Sequence, residues 1–172
     1  MNPKKYLKIL YDVGCSREVI MHSQGVYDIA MKIVKKIEEA GIKVNKDVVA
    51  MGALLHDIGR SRTNGIQHAI EGAKIAQRQG FPPAVVSIIE HHIGAGICKE
   101  EARVLGLPLK DYIPKTLEEE IVAHADNLCG ITDISSLIDR LKKKGNDKAA
   151  NRLKKLHKKL EKLCHCNLHD LL

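Results

Sequence analysis

Apolar residues along this chain recur every three to four positions over most of its length, and strict alternation is nearly absent. That periodicity predicts helices almost throughout. Ser16 is a plausible N-cap for a helix over 17–40, stopped by Gly41. A second begins near Asn45 and carries DVVAMGALLHDIG, and a third runs from about His68 to Gly80. Pro82-Pro83 suit the first turn of a fourth, AVVSIIEHH, which Gly94 and Gly96 close. A short helix is expected at KEEARVLG, and after the loop LPLKDYIP the pair Thr116 and Glu119 forms a capping-box pattern for TLEEEIVAHADNLCG. Two amphipathic segments follow, over 133–144 and 147–163. No repeat, low-complexity linker or composition break marks a boundary, so the expectation is one all-α helical bundle over 1–172.

Composition narrows the class without naming a function. Hydrophobic residues make up 44% and charged residues 28%, ordinary for a globular protein, whereas aromatics are only 3%, with no Trp and Phe81 as the single Phe. The core must therefore be aliphatic. No segment approaches the roughly 18–20 apolar residues that span a bilayer, which argues against a membrane partner. MNPKKYLKILYD lacks the apolar stretch of a signal peptide, and a cytoplasmic location is expected. Cys15, Cys98, Cys129, Cys164 and Cys166 show no paired framework and read as reduced thiols; Cys164, Cys166 and His169 make only a weak metal pattern.

The net charge of +7 is concentrated near the C-terminus, from Arg140 through Lys162, interleaved with Leu153, Leu156, Leu160 and Leu163 at helical spacing. The plain reading is an amphipathic helix with a solvated basic face. The alternative is a surface for nucleic acid or another anion, which lacks the support of neighbouring stacking aromatics.

Four of the helices hold metal-type ligands where core or surface residues would be expected. His22 shares a face with Val26 and Ile29, His56-Asp57 ends the second helix, His91-His92 ends the fourth, and Asp126 lies among Val122, Ala123 and Cys129. Singly, each reads as a hydrogen-bonded core histidine or a cap. Together they would converge in a helical bundle, and a buried aspartate among apolar neighbours calls for a cation. Imidazole with carboxylate and no thiolate suits Fe, Mn, Zn or Ni. His124 lies two residues before Asp126, roughly 200° around the helix, and should face away.

The order His22, His56-Asp57, Asp126 resembles the H…HD…D signature of the HD-domain superfamily of metal-dependent phosphohydrolases, with LLHDIGR and IVAHADNL closely similar to its second and last motifs. The resemblance covers about 13–130, leaving the basic amphipathic helices over about 131–172 outside it. It implies a compact helical bundle with a metal site at its centre. His68 in HAIEGAKIA and His91-His92 in IIEHHIGAG are similar to the additional ligands of binuclear members. Carried over, His22, His56, Asp57 and Asp126 hold one divalent transition metal. Asp57, His68 and His91 hold a second, with His92 as a further candidate because some binuclear members keep a single histidine there.

Such a pair of metals can generate hydroxide near neutral pH and polarise a phosphoryl oxygen. The resemblance then implies hydrolysis of a phosphate ester or anhydride, with Asp57 and Arg60 as catalytic residues and Arg60 and Arg62 against the phosphate. The spacing is similar to that of hydrolases of diadenosine tetraphosphate, and nucleoside monophosphates are also compatible. HHIGAGICKE lacks the GYP that would mark a cyclic-di-GMP phosphodiesterase. Two other readings share the ligand order: a mixed-valence di-iron oxygenase and a non-catalytic nucleotide-binding module.

Overall fold

A computed structural model describes residues 2–131 and 133–172. Nine helices occur among them: α1 Pro3–Asp12, α2 Arg17–Glu39, α3 Lys46–Leu55, α4 His68–Arg78, α5 Pro83–His91, α6 Lys99–Val104, α7 Leu117–Leu128, α8 Ile134–Lys143 and α9 Asp147–Cys164. Two 3-10 turns, Ile58–Ser61 and Leu168–Leu171, complete the set, and the extended pairing is a single antiparallel bridge between Ile97 and Tyr112. The fold is all-α.

Local chemistry accounts for the helix limits. The side chains of Ser16, Asn45, Thr116 and Asp133 accept hydrogen bonds from the first-turn amides of α2, α3, α7 and α8. Gly41 and Gly80 follow α2 and α4 with φ of 82° and 74°, the left-handed conformation that turns the chain out of a helix. Two elements differ from the sequence expectation. α1, unforeseen among its lysines, is capped by Asn2 with Pro3 in the first turn and is anchored by the fully buried Leu10. α3 stops at Leu55, and the chain passes through His56 and Asp57 into a tighter 3-10 turn rather than continuing to Gly59.

The long α2 is the spine. Its buried Val26, Ile33 and Ile37 belong to a cluster completed by Val49 and Ala53 of α3, Ile121 and Leu128 of α7, and Leu153 and Leu160 of α9. A second cluster joins Leu10, Leu55, Ile58, Val85 and Ile89 at the α1, α3 and α5 side. Each such side chain contributes about 1.5–3 kcal/mol when buried. The core is aliphatic as composition demands, with Tyr112 the only buried aromatic among the described residues. No helix among them is long and apolar enough to cross a membrane, and the five cysteines are free thiols.

α9 packs by Ala150, Leu153, Leu156, Leu160 and Cys164, leaving its lysines exposed. Two polar contacts tie it to α7: Lys159 Nζ donates to Glu120 Oε2 at 2.5 Å, and His124 Nε2 lies 2.9 Å from His157 Nδ1. Burial, reinforced by the neighbouring His157 and His169, pushes His124 down to about 3. A buried neutral imidazole stabilises the fold at pH above the unfolded value near 6.5, and that contribution is lost as pH falls toward the folded value. Urea unfolding of His124→Leu is therefore expected to show a shallower loss of stability between pH 6.5 and about 4 than the parent chain. Parallel slopes would mean that His124 charges freely in the fold.

Candidate metal centre

The centre of the bundle is built where α3 breaks. His56 and Asp57 occupy the junction between α3 and the 3-10 turn, at 0% and 4% exposure. Gly59 lets α4 approach this turn: a Cβ there would lie 1.9 Å from the carbonyl oxygen of His68 and 2.5 Å from the amide nitrogen of Gly72. Only glycine permits that crossing, and the crossing sets His68 at the first turn of α4 beside Asp57.

Three imidazoles are locked in the same way. Nδ1 of His56, His68 and His92 each lies 2.8 Å from the carbonyl oxygen three residues earlier, of Ala53, Gly65 and Ile89. A carbonyl only accepts, so each Nδ1 carries the proton and each Nε2 of the neutral ring presents a lone pair. These lone pairs converge. His68 Nε2 is 3.1 Å from His92 Nε2 and 3.1 Å from Asp57 Oδ1, and His92 Nε2 is 3.6 Å from the same oxygen. His56 Nε2 stands between the two carboxylates, 3.7 Å from Asp57 Oδ2 and 3.6 Å from Asp126 Oδ1. His22 Nε2, from α2, reaches Asp126 Oδ1 at 2.8 Å.

The donor set fits a divalent metal. His56 Nε2 and Asp57 Oδ1 are buried without a hydrogen-bond partner, a costly condition unless a cation satisfies them. Ligands bound at about 2.1 Å stand roughly 2.9–3.4 Å apart, close to the separations found here. Two overlapping triads emerge, His22–His56–Asp126 and His56–Asp57–His92. Carbonyls behind the imidazoles fix tautomer and ring orientation, the role outer hydrogen bonds play at metal sites.

Burial alone would lower His56, but Asp126 and Asp57 outweigh it and raise it to about 9, so without a metal this ring holds a proton on Nε2 that a bound cation would displace. Burial opposes ionisation of Asp57 and Asp126, yet the imidazoles around each hold both carboxyls well below the usual range. His92 is pushed down, by burial first. Asp57 is ionised and surrounded by positive or proton-bearing groups, including Arg60, whose Nε donates to Asp57 Oδ2 at 2.6 Å.

Two sequence candidates are not brought to the cluster. His91 follows a different direction from His92: its Nδ1 is 3.0 Å from Glu119 Oε2, and Ser87 Oγ donates to the other carboxylate oxygen at 2.8 Å. Adjacent residues point roughly 100° apart on a helix, so only one of the pair can face Asp57. Arg62 is exposed and makes no ion pair or side-chain hydrogen bond among the described residues. Glu119 is a buried carboxylate whose spacing from Thr116 fits a capping box. Thr116 Oγ1 does accept from the Glu119 amide, but the Glu119 carboxylate turns inward to His91, Ser87 and the Lys115 amide. Elsewhere, Cys164 donates to the Ile33 carbonyl and His169 Nε2 accepts from the Ile134 amide.

Metal-stripped protein should gain stability when Mn²⁺ or Zn²⁺ is added, by about 2.7 kcal/mol at a hundredfold excess over Kd. Thermal unfolding and metal content should show the gain abolished in Asp57→Ala. Gly59→Ala should lower both stability, by about 1–3 kcal/mol, and metal uptake, because α4 must retreat with His68. Unchanged metal uptake in both variants would separate the cluster from cation binding.

Comparison with known proteins agrees with this geometry. The model of the HD domain matches residues 19–131. The tRNA (cytidine(56)-2'-O)-methyltransferase of Picrophilus torridus is 45% identical over 168 residues, 96% of this chain and 48% of that protein. This chain thus spans about half the length of that relative. The uncharacterized protein MJ0778 of Methanocaldococcus jannaschii is 49% identical over 143 residues, covering 83% of this chain and 84% of its own. In three dimensions, the HD domain of the L. monocytogenes phosphodiesterase PgpH, solved with cyclic-di-AMP, superposes with a TM-score of 0.57 at 16% identity, covering 94% of each chain. At that identity the likeness speaks for the fold. Since the matched residues include every member of the histidine–aspartate cluster, the chain belongs to the HD-domain family.

Proposed function

We propose that this chain is a metal-dependent phosphohydrolase acting on a phosphate ester or anhydride of a nucleotide-type substrate. The observation that carries the reading is the convergence of imidazole lone pairs on Asp57 and Asp126, with a guanidinium at the edge of the same cluster. In this reading His22, His56, Asp57 and Asp126 hold one divalent metal, and Asp57, His68 and His92 hold a second. Bound there, the metals would supply a hydroxide nucleophile near neutral pH and positive charge against the phosphoryl oxygens.

The chain's own residues do the rest. Asp57 stands between the two sets of imidazoles and keeps both in one frame. Arg60 is fixed by its bond to Asp57 and by Nη1 against the Asn64 carbonyl at 3.4 Å. Its Nη2 makes no hydrogen bond among the described residues, which leaves a donor for a phosphate oxygen and for charge that grows during in-line displacement. The bonded pair His91 and Glu119 ties the end of α5, next to His92 in the chain, to α7. We read it as a clamp that holds the end of α5, and hence His92, in position.

Relatives lend support from two directions. PgpH is a phosphodiesterase solved with cyclic-di-AMP, a nucleotide. The Picrophilus relative is named for a reaction on tRNA. Both are in keeping with a phosphorylated nucleoside as the substrate proposed for this chain.

The test is turnover by protein prepared without oxygen and loaded with Mn²⁺ or Fe²⁺, against diadenosine tetraphosphate, cyclic dinucleotides and nucleoside monophosphates. Metal-dependent phosphate-ester cleavage is expected, absent in Asp57→Ala and lowered about a hundredfold in kcat by Arg60→Ala. Consumption of substrate that requires both iron and O₂ would overturn the reading in favour of an oxygenase.

A further inference from the structure

A cavity of about 500 Å³, within the range of small-molecule sites, is lined in part by residues that neighbour the histidine–aspartate cluster along the chain. Its walls begin at the ligands' own neighbours. Ile66 precedes His68 by two residues, Gly94 follows His92 by two, and Asn127 follows Asp126 directly. The opposite wall comes from helices that lie beyond the family-matched residues, with Leu137 and Leu141 of α8 and Ala149 and Leu153 of α9. The chamber is thus closed by the C-terminal part of this chain.

The lining is apolar, and its charge is already balanced. Arg152 is the only cation among the lining residues, and its Nη2 is tied to Glu101 Oε2 at 2.5 Å and to the Gly96 carbonyl at 2.8 Å. Glu100 adds a further negative charge at the rim. Such a chamber repels a free anion, so it does not receive the phosphate. Two polar groups of the lining remain available: Arg152 Nε, a buried donor without a partner among the described residues, and the amide of Asn127. Asn127 Nδ2 gives its two hydrogens to the carbonyls of Gly94 and Ala123, each at 2.8 Å. Both acceptors are carbonyls, which fixes the amide orientation and presents Oδ1 as an acceptor without a donor among the described residues.

We infer that this cavity is the nucleoside pocket of the substrate: it takes an uncharged, flat base between aliphatic walls and reads an N–H or hydroxyl of the nucleoside with Asn127 Oδ1. The direction in which the nucleoside lies rests on the phosphohydrolase reading, since the phosphate must sit at the cluster for the attached group to reach the chamber. Dispersion against Ile97, Leu137 and Leu141 supplies contact area where stacking aromatics are lacking. Being formed partly by α8 and α9, the pocket selects the organic part of the substrate independently of the metal ligands.

The experiment separates the two readings. Methyl-labelled, metal-free protein is titrated with adenosine, guanosine, cytidine and uridine. At least one should shift the methyl resonances of Ile97, Leu137 and Leu141 saturably, and leave those of the core residues Ile33 and Leu160 in place. Ala149→Trp, which fills the chamber, should abolish the shift. In the metal-loaded protein it should raise KM for a nucleoside phosphate about tenfold or more. Hydrolysis of bis(p-nitrophenyl) phosphate, which needs no nucleoside pocket, should persist. Comparing a mononucleotide with a short oligoribonucleotide tells whether the nucleoside arrives free or at a chain end. No saturable shift with any of the four nucleosides, or an equal shift in Ala149→Trp, overturns the inference. Should Ala149→Trp fail to fold, Leu141→Trp and the titration of the parent chain decide. Saturable nucleoside binding without hydrolysis of any ester would uphold the pocket and sink the phosphohydrolase reading.

Discussion

The bundle is organised around a carboxylate that has no business being buried alone. Asp57 is 4% exposed, and its Oδ1 lacks a hydrogen-bond donor of proper geometry. An ionised carboxylate in such surroundings is strongly unfavourable unless positive charge meets it. Every nearby feature serves that requirement. Three imidazoles are turned toward the aspartates by backbone carbonyls, and Arg60 closes on the other oxygen. A proton on one of two facing Nε2 atoms would satisfy a single lone pair. A divalent cation satisfies several at once, which is why the geometry favours metal over an extended hydrogen-bond network.

Holding that arrangement needs rigidity at three crossings. The 3-10 turn meets α4 through Gly59 and Gly72, where a side chain on either would push the helices apart. The other crossings join α2 and α7, where His22 is delivered to Asp126, and α5 and α7, where Ser87, His91 and Glu119 interlock. The aliphatic core of α2, α3, α7 and α9 surrounds these points and keeps water from relaxing them. Small residues and buried polar pairs thus sit at the joints, and Leu, Ile and Val fill the volume between them.

Much of this was legible in the sequence because local rules set it. Caps and glycines marked most helix ends, and ligands on different helices announced a shared centre. What escaped depended on tertiary contact. α1 is short, and its three lysines and prolyl start mask its apolar period; it is held by Leu10, with Tyr6, Leu7 and Ile9 packed beside it, against the cluster that includes Leu55 and Ile89. α3 ends before its apolar period predicts, because a helix and a 3-10 turn share their early periodicity. Spacing could not choose between His91 and His92, since the choice rests on Glu119, which a local capping rule had already claimed. The cavity lined by α8 and α9 was invisible because its walls come from five separate stretches of chain.

That last point bears on how the basic C-terminal helices should be understood. Arg152 and Lys159 are tied to Glu101 and Glu120, so part of the positive charge on α9 is neutralised across a helix contact. The apolar face of the same helix is buried against α2 and α7 and lines the chamber. A uniformly solvated basic face therefore describes only the outer side, where Lys154, Lys155 and Lys158 are exposed. The inner side binds α9 to the family core, and through Ala149 and Leu153 it forms one wall of the cavity. If the substrate is a phosphate ester, the outer lysines would attract it at long range, an effect lost to salt, and the inner wall would select among esters at contact distance, by shape and the oriented amide of Asn127.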